Sequence, residues 1–360
     1  MSVTGSHRQV KPSLLAALEW GKAGGCSEIG WDFHMFLVTG GAGFIGSNVV
    51  AALNDAGRSD VVVADTLGHD GKWRNLAKRQ LADLVPPAEL IRWLDGRHLD
   101  AVIHLGAISE TTATDGDLVI ETNFRLPLRL LDWCTANATP FLYASSAATY
   151  GDGDQGFDDD PSVAALKRLR PMNLYGWSKQ LFDLAVAERT ARGDRLPPQW
   201  AGLKFFNVFG PNEYHKGPMM SVLARRFDDI KAGRQVQLFK SHRDGIADGD
   251  QRRDFIYVDD VVRVMMWLLA TPEVNGLFNV GTGAARSFKD LIVSAYGALG
   301  LRPNIEYIDM PGQIRGSYQY FTQATVDRLQ RAGYNGGFTA LEDAVEAYVK
   351  GFLNRADRYR

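Results

Sequence analysis

Residues 38–47 read "VTGGAGFIGS", with Gly40, Gly43 and Gly46 spaced three apart. The apolar run "FLVTG" (36–40) that leads into them predicts a strand. "FIGSNVVAALNDAG" (44–57) predicts a helix that stops at Gly57. Glycine is needed where such a turn is tight, where backbone approaches a pyrophosphate and where helix packs close on strand. The helix start adds free N–H groups and a partial positive charge. A glycine triplet alone is weak, so its surroundings decide. "DVVVAD" (60–65) predicts the next strand. It ends on Asp65, about 20 residues on, where a ribose-binding acid belongs. Thr66, Lys72 and Arg74 follow. Either Lys72 or Arg74 neutralises a phosphate on the adenosine ribose, or both are solvated loop charges.

Working outward, the alternation continues. "DAVIHLGA" (100–107) and "TPFLYASS" (139–146) predict strands, with a helix around "RLPLRLLDWCTAN" between them. "MNLYGWSKQLFDLAVAERTARG" (172–193) predicts a long helix and "WAGLKFFNVFG" (200–210) a further strand. Strands alternating with helices imply an α/β fold, a doubly wound parallel sheet covered on both faces. After residue 210 polar stretches grow common, and "SHRDGIADGDQRRD" (241–254) reads as an extended loop. Short elements follow: "FIYV" (255–258), a helix over 259–271, "GLFNVG" (276–281), a helix near 287–299 and "NIEYID" (304–309). The expected division is a cofactor domain over 35–210, joined by elements from 255–285, and a smaller substrate lobe over 211–360. Residues 1–34 are expected to form a poorly ordered extension.

The chain has 360 residues, 45% of them hydrophobic, and a net charge of −2. Charges alternate in sign, so neither a nucleic-acid face nor a polybasic membrane anchor is expected. No apolar run approaches the roughly 20 residues of a membrane span. Cys26 and Cys134 stand apart, without metal-ligand spacing, which points to no metal, no disulfide and the reducing cytoplasm.

Tyr175 and Lys179 lie four apart at the start of the long helix, on one face. A free tyrosine has a pKa of about 10 and is a poor base. A neighbouring ammonium favours the phenolate. Lys179 also reaches toward a cofactor ribose. Ser145 and Ser146 close the preceding strand, at the sheet edge where ligands bind. Ser146 is expected to hydrogen-bond the alcohol or ketone, and Ser145 to cap a turn. Asn123 is expected to hydrogen-bond near the cofactor, and His104 to orient backbone. Met265, Met266 and Trp267 read as core.

"TGGAGFIG", "HLGA", "ASSAATYG", "YGWSK", "FFNVFGP" and "RRDFIYVDDVV" resemble the extended short-chain dehydrogenase/reductase superfamily, its nucleotide-sugar epimerases and dehydratases, over residues 36 to about 350. The resemblance implies a Rossmann-type domain, tightly bound NADP or NAD, and a nucleotide-sugar in the smaller lobe. It adds Phe44, Ile45, Leu105, Gly106, Ala107 and Val208 to the cofactor contacts. Dehydratases of the superfamily carry Thr-Asp-Glu where this chain has Ser146, Ala147 and Ala148, so elimination of water lacks its acid and base.

"FNVFGPNEYHKGPMMSV", "LFKS", "FNVGTGAARSF" and "GSYQYFTQA" are similar to the branch that epimerises an ADP-linked heptose at C6″ for the lipopolysaccharide inner core. That resemblance implies a homo-oligomer, a pentamer, and substrate contacts at Asn207, Lys216, Pro218, Arg225, Leu238, Phe239, Lys240, Ser241, Arg253 and Tyr318. Pro218 and Arg225 depart from the serine and histidine of that branch, and the polar insertion 243–251 departs from its shortest members.

Such an epimerisation oxidises the C6″ alcohol and re-reduces the ketone on its other face. Protons move on two sides, which calls for two acid/base groups. Tyr175 serves one side and Lys216 is the candidate for the other, its pKa lowered by burial and by the cations Lys179 and His215. Ser146 holds the oxygen and Lys179 tunes Tyr175. The rivals are a UDP-hexose 4-epimerase, which needs no Lys216, a non-catalytic redox sensor, and a structural subunit of an oligomer.

Overall fold

In the computed structural model, residues 35–315 and 318–360 are described; the extension 1–34 lies outside them. The first strand, β1 (Met35–Thr39), shows why the chain winds twice. Leu37 points into one apolar layer with Val62, Val102, Leu131 and Phe182, while Phe36 and Val38 point into the other with Val63, Ile103, Val264 and Met265. Because every residue of the strand is apolar or small, both faces demand cover. Each buried Leu or Val contributes about 1.5–3 kcal/mol to that demand.

The strands following β1 are β2 (Val61–Ala64), β3 (Asp83–Val85), β4 (Leu99–His104), β5 (Phe141–Ser146), β6 (Trp200–Phe205), β7 (Asn207–Phe209), β8 (Val236–Phe239), β9 (Arg252–Tyr257), β10 (Gly276–Val280), β11 (Ala285–Ser287) and β12 (Ile305–Ile308). Seven of them form one sheet in the order β10-β6-β5-β4-β1-β2-β3, every pair parallel. Helices Phe44–Asp55 and Val258–Ala270 cover one face, and Leu126–Ala136 and Leu174–Arg192 the other. The expected doubly wound α/β sheet is therefore present. Met265 and Met266 are core, and Trp267 packs edge-on against Tyr334.

Two small sheets carry the rest: β11-β9-β7, and β12 paired parallel with β8. Their core is a third cluster, with Phe209, Leu223, Phe227, Tyr296, Leu341 and Tyr348.

"WAGLKFFNVFG" is two strands, where one was expected. Phe206 turns to bond Val280 O, and Val208 N bonds back to Phe206 O, so β6 stays in the large sheet while β7 pairs with β9. The polar loop ends earlier than expected: Arg252–Asp254 belong to β9, held by Tyr320 and Thr322 across a bridge at Phe321. Strands β3, β8 and β11 were not predicted; they are three or four residues long, too short for periodicity to register. Among the described residues no helix is long and apolar enough to cross a membrane.

Candidate active site

The strand order reverses between β1 and β4, and ligands bind in such crevices at the strands' carboxyl ends. A cavity of about 500 Å³ opens there. Gly40 has φ +67°, and a Cβ on it would sit 2.6 Å from Gly106 N across the crevice. A Cβ on Gly46 would collide with the Gly40 carbonyl, so this glycine lets the helix start pack against the turn. No side chain caps helix Phe44–Asp55, and Gly43, Phe44, Ile45 and Gly46 line the cavity with that bare N-terminus. An uncapped helix start facing a cavity fits the pyrophosphate of a dinucleotide. Leu105, Gly106 and Ala107 form the opposite wall.

Asp65 lines the cavity beside the glycine loop. Its carboxylate accepts hydrogen bonds from Ala42 N at 2.9 Å and Thr66 N at 2.7 Å, and pairs with Lys72 Nζ at 2.6 Å. Asp65 and Lys72 line the cavity; Thr66 does not, and its carbonyl accepts from Lys72. Arg74 also stays off the wall, its guanidinium 5.8 Å from the Trp73 ring.

His104 ends β4 behind this wall. Thr39 Oγ1 accepts from Gly106 N, so its own proton is free to donate to His104 Nδ1, 2.7 Å away. The histidine thus bears on backbone only through Thr39, and leaves Nε2 buried without a partner. Burial, then the Lys179 charge, press its pKa down to about 3.

Helix Leu174–Arg192 begins where Asn173 accepts from Gly176 N at 2.8 Å, a cap contributing about 1 kcal/mol. It sets Tyr175 and Lys179 on the cavity wall beside Ser146. Ser146 Oγ accepts from Ala148 N and lies near enough to the Tyr175 phenol to lower its pKa. Burial pushes that phenol's pKa up, and the Ser146 contact draws it partly back. Lowering by Lys179 was expected and is not what acts: Lys179 donates to Ala144 O at 2.8 Å, and burial lowers its own pKa to about 8. Ser145 is not the expected cap either. Its hydroxyl donates to buried Asp183 at 2.6 Å. Asn123 is off the wall: it brackets Ile108, accepting from its N–H and donating to its carbonyl, both at 2.9 Å.

Lys216 reaches the same cavity from the 3-10 turn Tyr214–Met219, its ammonium 5.4 Å from the Phe44 ring centroid. Burial lowers its pKa, and the Glu213 charge opposes this; neither Lys179 nor His215 supplies the effect expected of them. Glu213 is buried, accepting from Ser221 Oγ at 2.7 Å and the Tyr348 hydroxyl at 3.1 Å. Asn207 and Val208 line the cavity as well.

Other predicted substrate contacts lie off its wall. Arg225 turns to the Pro218 carbonyl at 3.2 Å. Leu238 is buried in the third core cluster. Lys240 pairs with Asp309 at 3.4 Å, and Ser241 N donates to Asp248 in the polar insertion. Phe239, Arg253 and Tyr318 form a cluster beside the cavity: Tyr318 is edge-on to Phe239, and Arg253 lies 5.2 Å from the Tyr318 ring and 5.6 Å from that of Phe288. Phe288 and Gln319, which accepts from Arg253 through its carbonyl, do line the cavity. Sequence reasoning missed both, along with Thr322, Met219 and Met220; they come from separate segments with no shared spacing.

The NAD dependent epimerase/dehydratase family matches residues 36–281 of this chain. An ADP-L-glycero-D-manno-heptose-6-epimerase from Nitratidesulfovibrio vulgaris strain DP4 is 50% identical over 329 residues, covering 90% of this chain and 100% of the relative. One from Fusobacterium nucleatum is 42% identical over 335 residues, covering 90% and 100%. The crystal structure of the Helicobacter pylori ADP-L-glycero-D-manno-heptose-6-epimerase is similar with a TM-score of 0.72 at 28% identity, covering 89% of this chain and 96% of that one.

Proposed function

This chain belongs to the NAD dependent epimerase/dehydratase family and, within it, to the ADP-L-glycero-D-manno-heptose-6-epimerases, and on that premise we propose how its cavity works. It interconverts ADP-D-glycero-D-manno-heptose and ADP-L-glycero-D-manno-heptose through a transient C6″ ketone, in the supply of heptose for lipopolysaccharide. The observation that carries this reading is that Tyr175 and Lys216, from different elements, line one cavity.

When bound, the cofactor would supply a reversible hydride acceptor, which makes the reaction redox-neutral overall. Gly40, Gly43 and the first turn of helix Phe44–Asp55 would hold the cofactor's pyrophosphate, with Leu105–Ala107 and Val208 as further contacts. Asn123 acts through the Ile108 backbone. Lys179, on the cavity wall, would bind a cofactor ribose. NADP is the cofactor we favour over NAD: Lys72 offsets the Asp65 charge, which would otherwise repel a 2′-phosphate.

Ser146 holds the C6″ oxygen. Tyr175 takes and returns its proton on one face and Lys216 on the other. Two groups are needed because a single fixed base serves only one side. Burial favours a neutral Lys216, the form that accepts a proton. Asn207 contacts the sugar, and Arg253 with Tyr318 and Phe239 receives the nucleotide diphosphate, to which a guanidinium is matched. Residues 35–210 with 255–285 serve as the cofactor domain and 211–360 as the substrate lobe. The enzyme works as a cytoplasmic homo-oligomer.

The test is incubation with ADP-D-glycero-D-manno-heptose and determination of the C6″ configuration. Both epimers are expected, with UDP-hexoses unchanged. Conversion of UDP-glucose without heptose inversion would sink the proposal. Cofactor released from the purified protein is expected to carry a 2′-phosphate; NAD alone would correct the cofactor assignment.

A further inference from the structure

Behind Tyr175 and Lys179 lies a buried ion pair that the reaction above does not use. Asp183 follows Lys179 on helix Leu174–Arg192, so Tyr175, Lys179 and Asp183 descend one face at intervals of four. Lys204, in β6, holds its ammonium 2.8 Å from Asp183 Oδ2, and neither side chain reaches the surface. The carboxylate also accepts from Ser145 Oγ at 2.6 Å and the Tyr143 hydroxyl at 3.2 Å, both on β5. Lys204 donates to Thr149 Oγ1 at 2.7 Å, and the Thr149 hydroxyl donates to the Ser146 carbonyl at 2.9 Å. The pair therefore grips the end of β5 and the turn after it from both sides of Ser146. Charges wholly removed from water are costly, and apolar residues of like volume often pack as stably. Fold stability alone is a weak reason for this arrangement.

We propose that Lys204 and Asp183 are positioning residues for the catalytic tyrosine: together they fix the Ser146 hydroxyl against the Tyr175 phenol and set the charge behind Tyr175 and Lys179. The inference rests on the acid/base reading of Tyr175. The ionisable groups around this face are Asp183 on the same helix, Lys204 from β6, Tyr143 from β5, Tyr150 from the turn and His104 from β4. His104 is buried and neutral, and burial holds Tyr143 and Tyr150 protonated. Asp183 is left as the group that favours protonated Tyr175 and Lys179. Lys204 holds that carboxylate in place.

The experiment is the pH profile of kcat with ADP-D-glycero-D-manno-heptose for the full chain, Lys204→Met and the double variant Asp183→Asn/Lys204→Met. Lys204→Met leaves Asp183 unpaired, and kcat is expected to fall by at least about tenfold with KM changed less. Should that variant fail to fold, the double variant, with both charges of the pair removed, carries the test. Its acidic limb is expected to move down by about one pH unit, because the carboxylate that held protons in place is gone. An acidic limb and kcat matching the parent chain overturn the proposal. Tyr175→Phe in the same assay separates the two readings. Full activity there removes the acid/base role itself, whereas an inactive Tyr175→Phe beside an unshifted double variant removes only the positioning role.

Discussion

Lys216 is caught between two influences. Removal from water favours its neutral form, and the Glu213 carboxylate favours the ammonium. Glu213 cannot swing away, since Ser221 and Tyr348 hold it. These opposed influences suit the second acid/base role proposed for Lys216. Lys216→Ala is expected to cut C6″ inversion by about 10²–10⁴-fold with bound cofactor retained, read by product configuration and by the cofactor's absorbance. Near-parental inversion would remove the two-base mechanism. Tyr175→Phe is expected to lose one half-reaction while the cofactor stays bound, seen as a failure of substrate to change the bound cofactor's redox state in single turnover. Cofactor lost from that variant would instead assign Tyr175 to binding.

At the scale of elements, helix Phe44–Asp55 and the Lys216 segment are fastened together. Asn75 Nδ2 donates to Ala42 O at 2.9 Å in the glycine loop and to Asn212 O at 3.0 Å beside the Lys216 turn. Asn48, within helix Phe44–Asp55, donates to Pro211 O at 3.0 Å, and Asn212 donates to Ser47 Oγ at 3.0 Å. Segment 358–360 adds Arg360 N to Asn212 Oδ1 and the Tyr214 hydroxyl to Arg358 O. Asn75→Ala leaves buried carbonyls unpaired and is expected to cost about 1–3 kcal/mol, seen as a lower urea midpoint, with kcat falling more than KM. An unchanged midpoint and kcat would show that the remaining bonds suffice. Gly46→Ala forces the helix start off the turn; cofactor retention on purification is the measurement, and loss is expected. A variant that keeps its cofactor would show that the turn gives way instead.

For the whole molecule, two buried groups bend the pH dependence of stability in opposite directions. His104 has a folded pKa of about 3 against an ordinary value of 6.5. Below pH 6.5 the unfolded chain takes a proton that the folded one refuses, so stability falls as pH drops toward 3, by up to about 1.4 kcal/mol per unit. Asp159, bonded to Asn279 N at 2.7 Å, is raised by burial from 3.8 to about 6. Between those values the folded chain keeps a proton that the unfolded one releases, so this group makes stability fall as pH rises from about 4 to 6. His104→Asn is expected to flatten the acid-side loss, its stability difference from the parent narrowing or reversing as pH falls from 6.5 to 4 in urea titrations. A pH-independent difference would show that His104 does not titrate with unfolding.

The glycine triplet, Asp65 and the Tyr175/Lys179 spacing were legible in the sequence because each depends on neighbours within one βα unit or one helix turn. The parallel sheet followed from continuous apolar strands, which need two covered faces. Lys216 drew attention only through resemblance, since nothing local distinguishes it from a solvated lysine. Tertiary structure alone decided which groups surround these residues. The chain splits at Phe206, between two sheets. Lys204 meets Asp183 across 21 residues, and Phe288 and Gln319 close a cavity begun at Gly40. It also set the electrostatics: burial, more than neighbouring cations, moves Lys216 and Lys179 from their ordinary values, and burial is a property of the packed molecule that no local spacing encodes.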